Sequence, residues 1–475
     1  MPKENLTKII CTLGPASDDP EVVAGMLEAG ADVIRLNFSH GSPEQFSPRI
    51  KCVREMSERV GRHTALLGDL QGPKIRTGEL ERHQPVELAR GQELVITTQP
   101  VPGTAERICT TYAALPQDVE AGDCILLDDG VIALRVLSTS ETEVRTEVEA
   151  GGRLGERKGI NLPGVHISSP SMTEKDRRDV EFIVESGLDY VALSFVRGAQ
   201  EVRELQELLS RWERRPAVIA KIEKPEALAE IEAIVEAADG IMVARGDLGV
   251  EMPPEEVPIL QKQLVRLCGR VRKPVIVATQ MLDSMRVNPR PTRAEASDVA
   301  GAIFEGADAV MLSGETAVGR FPVQSVEMMR RISSAAEREI MARPHLRVEP
   351  EEAPFISFAD ALARSVAEVA EAVQAAAIVA FTETGSTARL ISMCRPAVPV
   401  FAATPRVATA RRCSLYWGVR PVLISPVETT DEMIANVSHT MKAMGAVKTG
   451  DVIAITAGTV GQAGTTDMVK LEVTR

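Results

Sequence analysis

The stretch VIAKIEKPEAL, Val218 to Leu228, is an apolar run that ends in charge. Lys221 and Glu223 are two residues apart, and on a strand such positions share a face. A similar ending follows in IMVARGDLG, where Arg245, Gly246 and Asp247 close another apolar run. Glu223 and Asp247 are hard oxygen donors suited to Mg2+ or Mn2+, with substrate and water filling the other positions. Arg35, Arg76, Lys158 and Lys221 are cations suited to phosphate oxygens. A divalent ion with several cations around a phosphate is the recurring apparatus of phosphoryl transfer. Each residue also has an ordinary reading. Lys221 and Glu223 could form an exposed pair of little worth. Asp247 could cap a helix, and Thr279 could be a plain strand former.

Convergence depends on the elements around these residues. Eight short apolar runs recur along the chain: TKIICTLG, ADVIRLNFS, TALLGDLQG, YVALSFV, AVIAKIE, GIMVARGDLG, PVIVATQML and AVMLSGET. Amphipathic segments separate most of them, such as Pro20 to Ala29, Glu174 to Ser186, Glu226 to Ala237 and Thr292 to Phe304. Thr292 and Glu295 have the spacing of a capping box. Apolar strands alternating with helices predict a parallel sheet covered on both faces, and eight such units predict a (β/α)8 TIM barrel. Barrel catalysis sits at the C-terminal strand ends. Those ends carry Arg35, Asn37 and Ser39; Asp69; Ser194; Lys221 and Glu223; Arg245 and Asp247; Thr279 and Gln280; Ser313 and Glu315. In a barrel all of them would face one opening.

From about Pro73 to Pro170 the helical rhythm stops. ELVITT, ILLDDGVIALRV with Asp129-Gly130 at its turn, and TEVRTEVEA read as a small all-β insertion. It interrupts a strand-to-helix connection, the side where barrel sites are built, so it is expected to act as a lid. Beyond a charged connecting tract at Ala342 to Ala353, the runs AAIVAFT, VPVFAA, RPVLIS, VIAITAG and MVKLEV predict a C-terminal α/β domain. The expected division is 1–72 with 171–345 for the barrel, 73–170 for the lid, and 346–475 for the C-terminal α/β domain.

Bulk properties narrow the function. The chain has 475 residues and a formal charge of -13. An acidic chain of this kind is not a nonspecific nucleic-acid binder. No apolar run approaches the roughly 18 residues of a membrane span. The seven cysteines form no C-x-x-C pair, which suits reduced thiols, and the six histidines do not cluster as zinc ligands would. MPKENLTKIICTLG runs almost directly into a strand, so a cytoplasmic protein without a signal peptide is expected. There is no Walker A motif, kinase-type glycine loop or Rossmann fingerprint. The residues alone therefore describe a Mg2+-dependent barrel enzyme acting on a phosphorylated anion. An aldolase or lyase on the same scaffold, or a noncatalytic binding protein, stays open at this point.

The motifs RLNFSHG, GDLQGPKIRTG, KGINLPG, AKIEKPE, IMVARGDLGVE, ATQMLDSM, RPTRAE and LSGETAVGRFP together resemble pyruvate kinase, in order and over essentially the whole chain. The resemblance implies transfer of the phosphoryl group of phosphoenolpyruvate to ADP, giving pyruvate and ATP at the end of glycolysis, by a homotetramer. It implies that Lys221 stabilises the migrating phosphoryl group, that Glu223 and Asp247 hold Mg2+, and that Gly246 and Asp247 help bind phosphoenolpyruvate. Arg35 would bind the phosphoryl group, and Thr279 would contact substrate near the side where the enolate is protonated. Asn37, Ser39 and His40 would line the nucleotide and monovalent-cation region, and Arg76 and Lys158 would reach nucleotide phosphates. The family K+ site would fall on Asn37, Ser39, Asp69 and Leu70.

K+-dependent members read D-T-K-G-P-E where this chain has Asp69-Leu70-Gln71-Gly72-Pro73-Lys74. The ammonium of Lys74 can stand in for the ion, so K+ is not expected to be required. In the C-terminal domain, TETGSTARL places Thr382, Thr384, Gly385, Ser386 and Thr387 between a strand and a helix start, a phosphate cradle. The resemblance makes this an allosteric effector site. Glu383 favours a sugar monophosphate or AMP over fructose 1,6-bisphosphate; an ordinary capped helix start is the alternative. The later AGTVGQAGTT lacks the Pro often found in the family's loop. Lys224 points away from Lys221 and Glu223 in this reading and has no role.

Overall fold

The computed structural model describes residues 5–343, 346, 357–426, 429–458 and 466–474. Most of the connecting tract at Ala342 to Ala353 and of the AGTVGQAGTT loop lies outside the described residues. Each of the eight apolar runs forms a strand: β1 (Lys8–Thr12), β2 (Val33–Asn37), β3 (Ala65–Asp69), β4 (Tyr190–Leu193), β5 (Ala217–Ile222), β6 (Gly240–Ala244), β7 (Val275–Ala278) and β8 (Ala309–Leu312). All pair in parallel, and β8 closes back on β1 to complete a barrel. Their near-continuous apolar character follows from burial on both faces.

Register delivers the polar ends to one rim. Asn37 pairs with Asp69, and Lys221 with Met242. The helix Arg293–Glu305 begins with the expected box: Glu295 N donates to Thr292 Oγ1 at 3.2 Å, and Thr292 N to Glu295 Oε2 at 2.7 Å. The segment read as one helix from Glu226 to Ala237 is instead a 3-10 turn, Pro225–Glu230, followed by a helix, Ile231–Ala237. Ala227 N closes onto Lys224 O directly after Pro225, the tighter turn a helix start permits.

The insertion forms a six-stranded sheet and a two-stranded one. Its hairpin pairs Cys124–Leu127 with Ile132–Thr139, turning through Asp128, Asp129 and Gly130, all at positive φ. It has its own apolar core, including Ile96, Leu127, Leu134 and Val148. The C-terminal domain holds β9 (Ala377–Phe381), β10 (Val400–Thr404), β11 (Val419–Leu423), β12 (Val452–Ala457) and β13 (Met468–Val473) in the order β11-β10-β9-β12-β13, with β13 antiparallel.

The C-terminal domain also completes the barrel. Inward residues such as Ile10, Leu67, Ile219, Met242 and Met311 pack in one cluster with Leu415, which is 1% exposed. Around this plug, Tyr190 Oη donates to Arg412 O at 2.6 Å and Lys8 Nζ to Val419 O at 2.8 Å. Arg395 pairs with Asp308 at 2.8 Å, and Arg272 with Asp360 at 2.9 Å. All seven cysteines are free. Among the described residues no helix is long and apolar enough to cross a membrane.

Truncating the plug removes packed volume from the barrel floor. Leu415→Ala is expected to lose about 2–5 kcal/mol from the transition that opens this contact. Urea unfolding followed by the fluorescence of nearby Trp417 reads it; an unmoved midpoint contradicts the plug.

Candidate active site

Lys221, one residue before the end of β5, lies at the centre of a buried cluster at the rim. Its Nζ donates to Ser194 Oγ at 2.7 Å and contacts Glu223 Oε1 at 2.8 Å and Asp69 Oδ1 at 3.1 Å. Burial alone would lower the pKa of this ammonium, but the carboxylates of Asp69 and Glu223 more than offset it and raise it. Lys221 is thus a fixed cation, an electrostatic group rather than a base.

Asp69 ends β3 and is shared: Arg35 Nε donates to its Oδ2 at 2.6 Å. Burial pushes the Asp69 pKa up, yet Lys221 and Arg35 prevail and hold it below the usual value. Arg35 is further aimed by Nη1 donating to Thr12 Oγ1 at 3.0 Å. Thr12 was missed in the sequence because nothing about a strand threonine marks it as an orienting group.

Glu223 takes Phe195 N–H on Oε2 at 2.7 Å. Phe195 has φ 54°, an uncommon conformation for a bulky residue, which presents that N–H to the carboxylate. Burial raises the Glu223 pKa; the pull of Lys221 opposes this, and the like charge of Asp247 adds to it. A divalent cation near both carboxylates would relieve that repulsion, so this oxygen pair fits Mg2+ or Mn2+. Asp247 lies in the first turn of the helix Arg245–Glu251; Ala244, not Asp247, is the cap residue.

Thr279 and Gln280 follow β7 with φ 70° and 55°. This strained turn is braced from behind. Arg245 Nη2 donates to Thr279 O at 2.8 Å, and Arg245 Nη1 to Asp298 Oδ1 at 2.7 Å. The Thr279 hydroxyl accepts from Gly246 N at 2.7 Å and donates to Ala278 O at 2.6 Å. Not every polar strand end serves the opening directly. Arg245 holds the Thr279 turn, and Glu315 accepts from Ser313 N at 2.8 Å and Leu282 N at 3.0 Å, tying two rim loops together.

On β2, Asn37 Oδ1 accepts from Ser39 N at 3.1 Å, and Asn37 O from His40 N at 3.1 Å. The His40 pKa is lowered by burial and then by the charges of Arg76, Lys74 and Arg35, so these cations gather on its side of the rim. Leu70 O accepts the Ser194 hydroxyl at 2.8 Å. Lys74 lines a pocket with Asp129 and Asp247, between lid and barrel. A wider cleft of about 1060 Å3 continues past Arg245, Gly246 and Gln280. On the lid, Lys158 Nζ pairs with Asp128 at 2.9 Å, and Arg76 Nη1 donates to Arg157 O at 3.2 Å. Lys224, for which the sequence offers no role, is 4% exposed and its Nζ donates to Glu251 Oε1 at 2.6 Å.

The loop Thr382 to Thr387 belongs to the other domain, after β9. Thr382 Oγ1 accepts from Gly385 N at 2.8 Å, Gly385 has φ 95°, and the Thr384 and Ser386 hydroxyls lie 3.1 Å apart. The helix Ser386–Met393 starts there. Glu383 is paired with Arg406 at 2.5 Å, so its charge is partly compensated.

Two family models match, "Pyruvate kinase, barrel domain" over residues 4–326 and "Pyruvate kinase, alpha/beta domain" over residues 360–472. The chain is 48% identical over 471 residues to a pyruvate kinase of Geobacillus stearothermophilus, covering 98% of this chain and 80% of that protein. It is 46% identical over 470 residues to a pyruvate kinase of Staphylococcus aureus strain MRSA252, with the same coverage. The crystal structure of a pyruvate kinase from Cryptosporidium parvum matches with TM-score 0.91 at 36% identity, covering 99% of this chain and 96% of that one. The chain belongs to the pyruvate kinase family.

Proposed function

We propose that the rim of the barrel transfers the phosphoryl group of phosphoenolpyruvate to ADP through Lys221, Arg35 and Thr279. The observation that carries this reading is the Lys221 ammonium held among Asp69, Glu223 and Ser194, with Arg35 on the same Asp69. Glu223 and Asp247 would hold Mg2+ or Mn2+, which when bound neutralises phosphoryl charge and polarises the oxygen that becomes the enolate. Lys221 is already charged and oriented, so it offers its field to the migrating group without reorganisation. Arg35 Nη2 has no acceptor among the described residues and is available to a phosphoryl oxygen. Gly246 and Asp247 would bind phosphoenolpyruvate beside Thr279, whose hydroxyl fixes the Gly246 amide. Asn37, Ser39, His40, Arg76 and Lys158 would receive the nucleotide, and closing the lid of residues 73–170 would exclude water that hydrolyses the substrate.

K+ is not required in this reading. Of the family-type donors, Asp69 already binds two cationic side chains, and Leu70 O accepts from Ser194. Lys74 adds positive charge to the same rim. The loop from Thr382 to Thr387 is proposed to take a phosphorylated effector, a sugar monophosphate or AMP, on its glycine and hydroxyl groups. The homotetramer and a cytoplasmic location belong to the same proposal; the edge strand β13 leaves Leu471 and Val473 exposed, as a pairing surface would.

Lys221→Met is expected to bind phosphoenolpyruvate while kcat falls by about 10^3-fold or more, the scale of losing a preorganised electrostatic group. Near-normal turnover removes Lys221 from the chemistry. Initial rates should change little when KCl replaces sodium or Tris salts, and a large activation sinks the Lys74 argument. Thermal shifts should appear with ribose 5-phosphate, glucose 6-phosphate or AMP more than with fructose 1,6-bisphosphate. No shift with any of them leaves the loop an ordinary helix start.

A further inference from the structure

A second buried cluster stands beside the first. Lys224 Nζ donates to Glu251 Oε1 at 2.6 Å, and Asn161 Nδ2 donates to the same oxygen at 2.8 Å. Lys224 is 4% and Glu251 6% exposed. The other Glu251 oxygen is buried with no hydrogen-bond partner among the described residues. Compensation of this carboxylate therefore comes from Lys224 and Asn161.

The three side chains arrive from three parts of the site. Lys224 directly follows Glu223 and leads into the turn Pro225–Glu230. Glu251 ends the helix Arg245–Glu251, one turn beyond Asp247. Positions four apart lie on one side of a helix, so Asp247 and Glu251 move together. Asn161 ends the returning lid strand Ile160–Asn161, whose Ile160 N donates to Ile75 O at the lid's entry, 3.0 Å away. Val250, next to Glu251, lies against Gly130 at the tip of the lid hairpin: a Cβ there would be 3.7 Å from Val250 Cγ1.

A buried ion pair resists separation, because each charge would be stranded in apolar surroundings. The pair therefore holds the chain at residue 224 and the end of the helix at a set distance. Glu223 is one residue from one anchor, and Asp247 one turn from the other. We propose that Lys224 and Glu251 are positioning residues for the divalent-cation pair Glu223 and Asp247, and that Asn161 ties the lid to the same carboxylate. The proposal rests on reading Glu223 and Asp247 as the metal-binding pair. It gives the lid a mechanical link to the metal donors that does not pass through substrate.

The test is Mn2+ binding to the full chain without substrates, titrated by paramagnetic resonance, with thermal unfolding in parallel. The double variant K224M/E251Q removes both charges together and strands neither. It is expected to unfold within a few degrees of the parent and to bind Mn2+ roughly 10–100-fold more weakly, as when groups that orient metal ligands are lost. Glu251→Asp, which keeps the charge and shortens its reach, is the second variant should the double one not fold, and is expected to weaken Mn2+ by at least about threefold. Asn161→Ala, which removes only the lid's hydrogen bond to Glu251, is expected to weaken Mn2+ less than the double variant does and to lower kcat; an unchanged kcat overturns the lid link. Parent-like Mn2+ affinity in the folded Lys224 and Glu251 variants overturns the proposal, provided Asp247→Asn abolishes binding. If Asp247→Asn and Glu223→Gln also bind as the parent does, the metal-pair reading fails instead.

Discussion

A buried ammonium must be compensated, and the site is arranged around that requirement. Taking a lysine out of water costs several kcal/mol unless carboxylates accompany it. At Lys221 the companions are Asp69 and Glu223, with Ser194 completing its hydrogen bonds. Each companion then needs partners of its own. Asp69 takes Arg35, which takes Thr12; Glu223 takes the strained amide of Phe195. One buried charge thereby fixes the ends of the first five strands of the barrel relative to one another.

The closed barrel is what lets such a network be built from short segments. Each strand contributes only a few polar residues at its end, and parallel register places them on a common rim. Arg245 and Glu315 show the secondary use of those ends: they stiffen loops so that Thr279 and its neighbours keep conformations they would not choose alone. The barrel and the insertion have separate cores, each with its own apolar packing.

Much of this was legible in the chain. Eight apolar runs separated by amphipathic segments specify the barrel, because burial on both faces leaves strands few polar options. Lys221, Glu223, Arg35 and Asp69 were legible because charges ending several apolar strands converge on one rim once those strands close into a barrel. Lys224 was left without a role for a physical reason: alternation says only that it faces away from its neighbours, not that a carboxylate waits on another element. Glu251, four residues after Asp247, was the available signal, but a contact between segments 27 residues apart is not encoded in local spacing. Thr12 and Phe195 were invisible for a similar reason, since their contribution lies in a hydroxyl and an amide set by tertiary geometry. The split of Glu226 to Ala237 reflects competition between helix periodicity and the tight turn after Pro225.

Leu415 changes what counts as the catalytic domain. The side chain that stops the barrel's lower opening comes from far along the chain, yet it belongs to the same apolar interior as Ile219 on the strand that carries Lys221. Cutting the chain between the two domains would not leave an intact barrel behind. It would uncork the barrel, admitting water to the base of the strands whose upper ends hold Lys221, Asp69 and Arg35. In this architecture the boundary drawn along the sequence and the boundary of the folding unit are different lines.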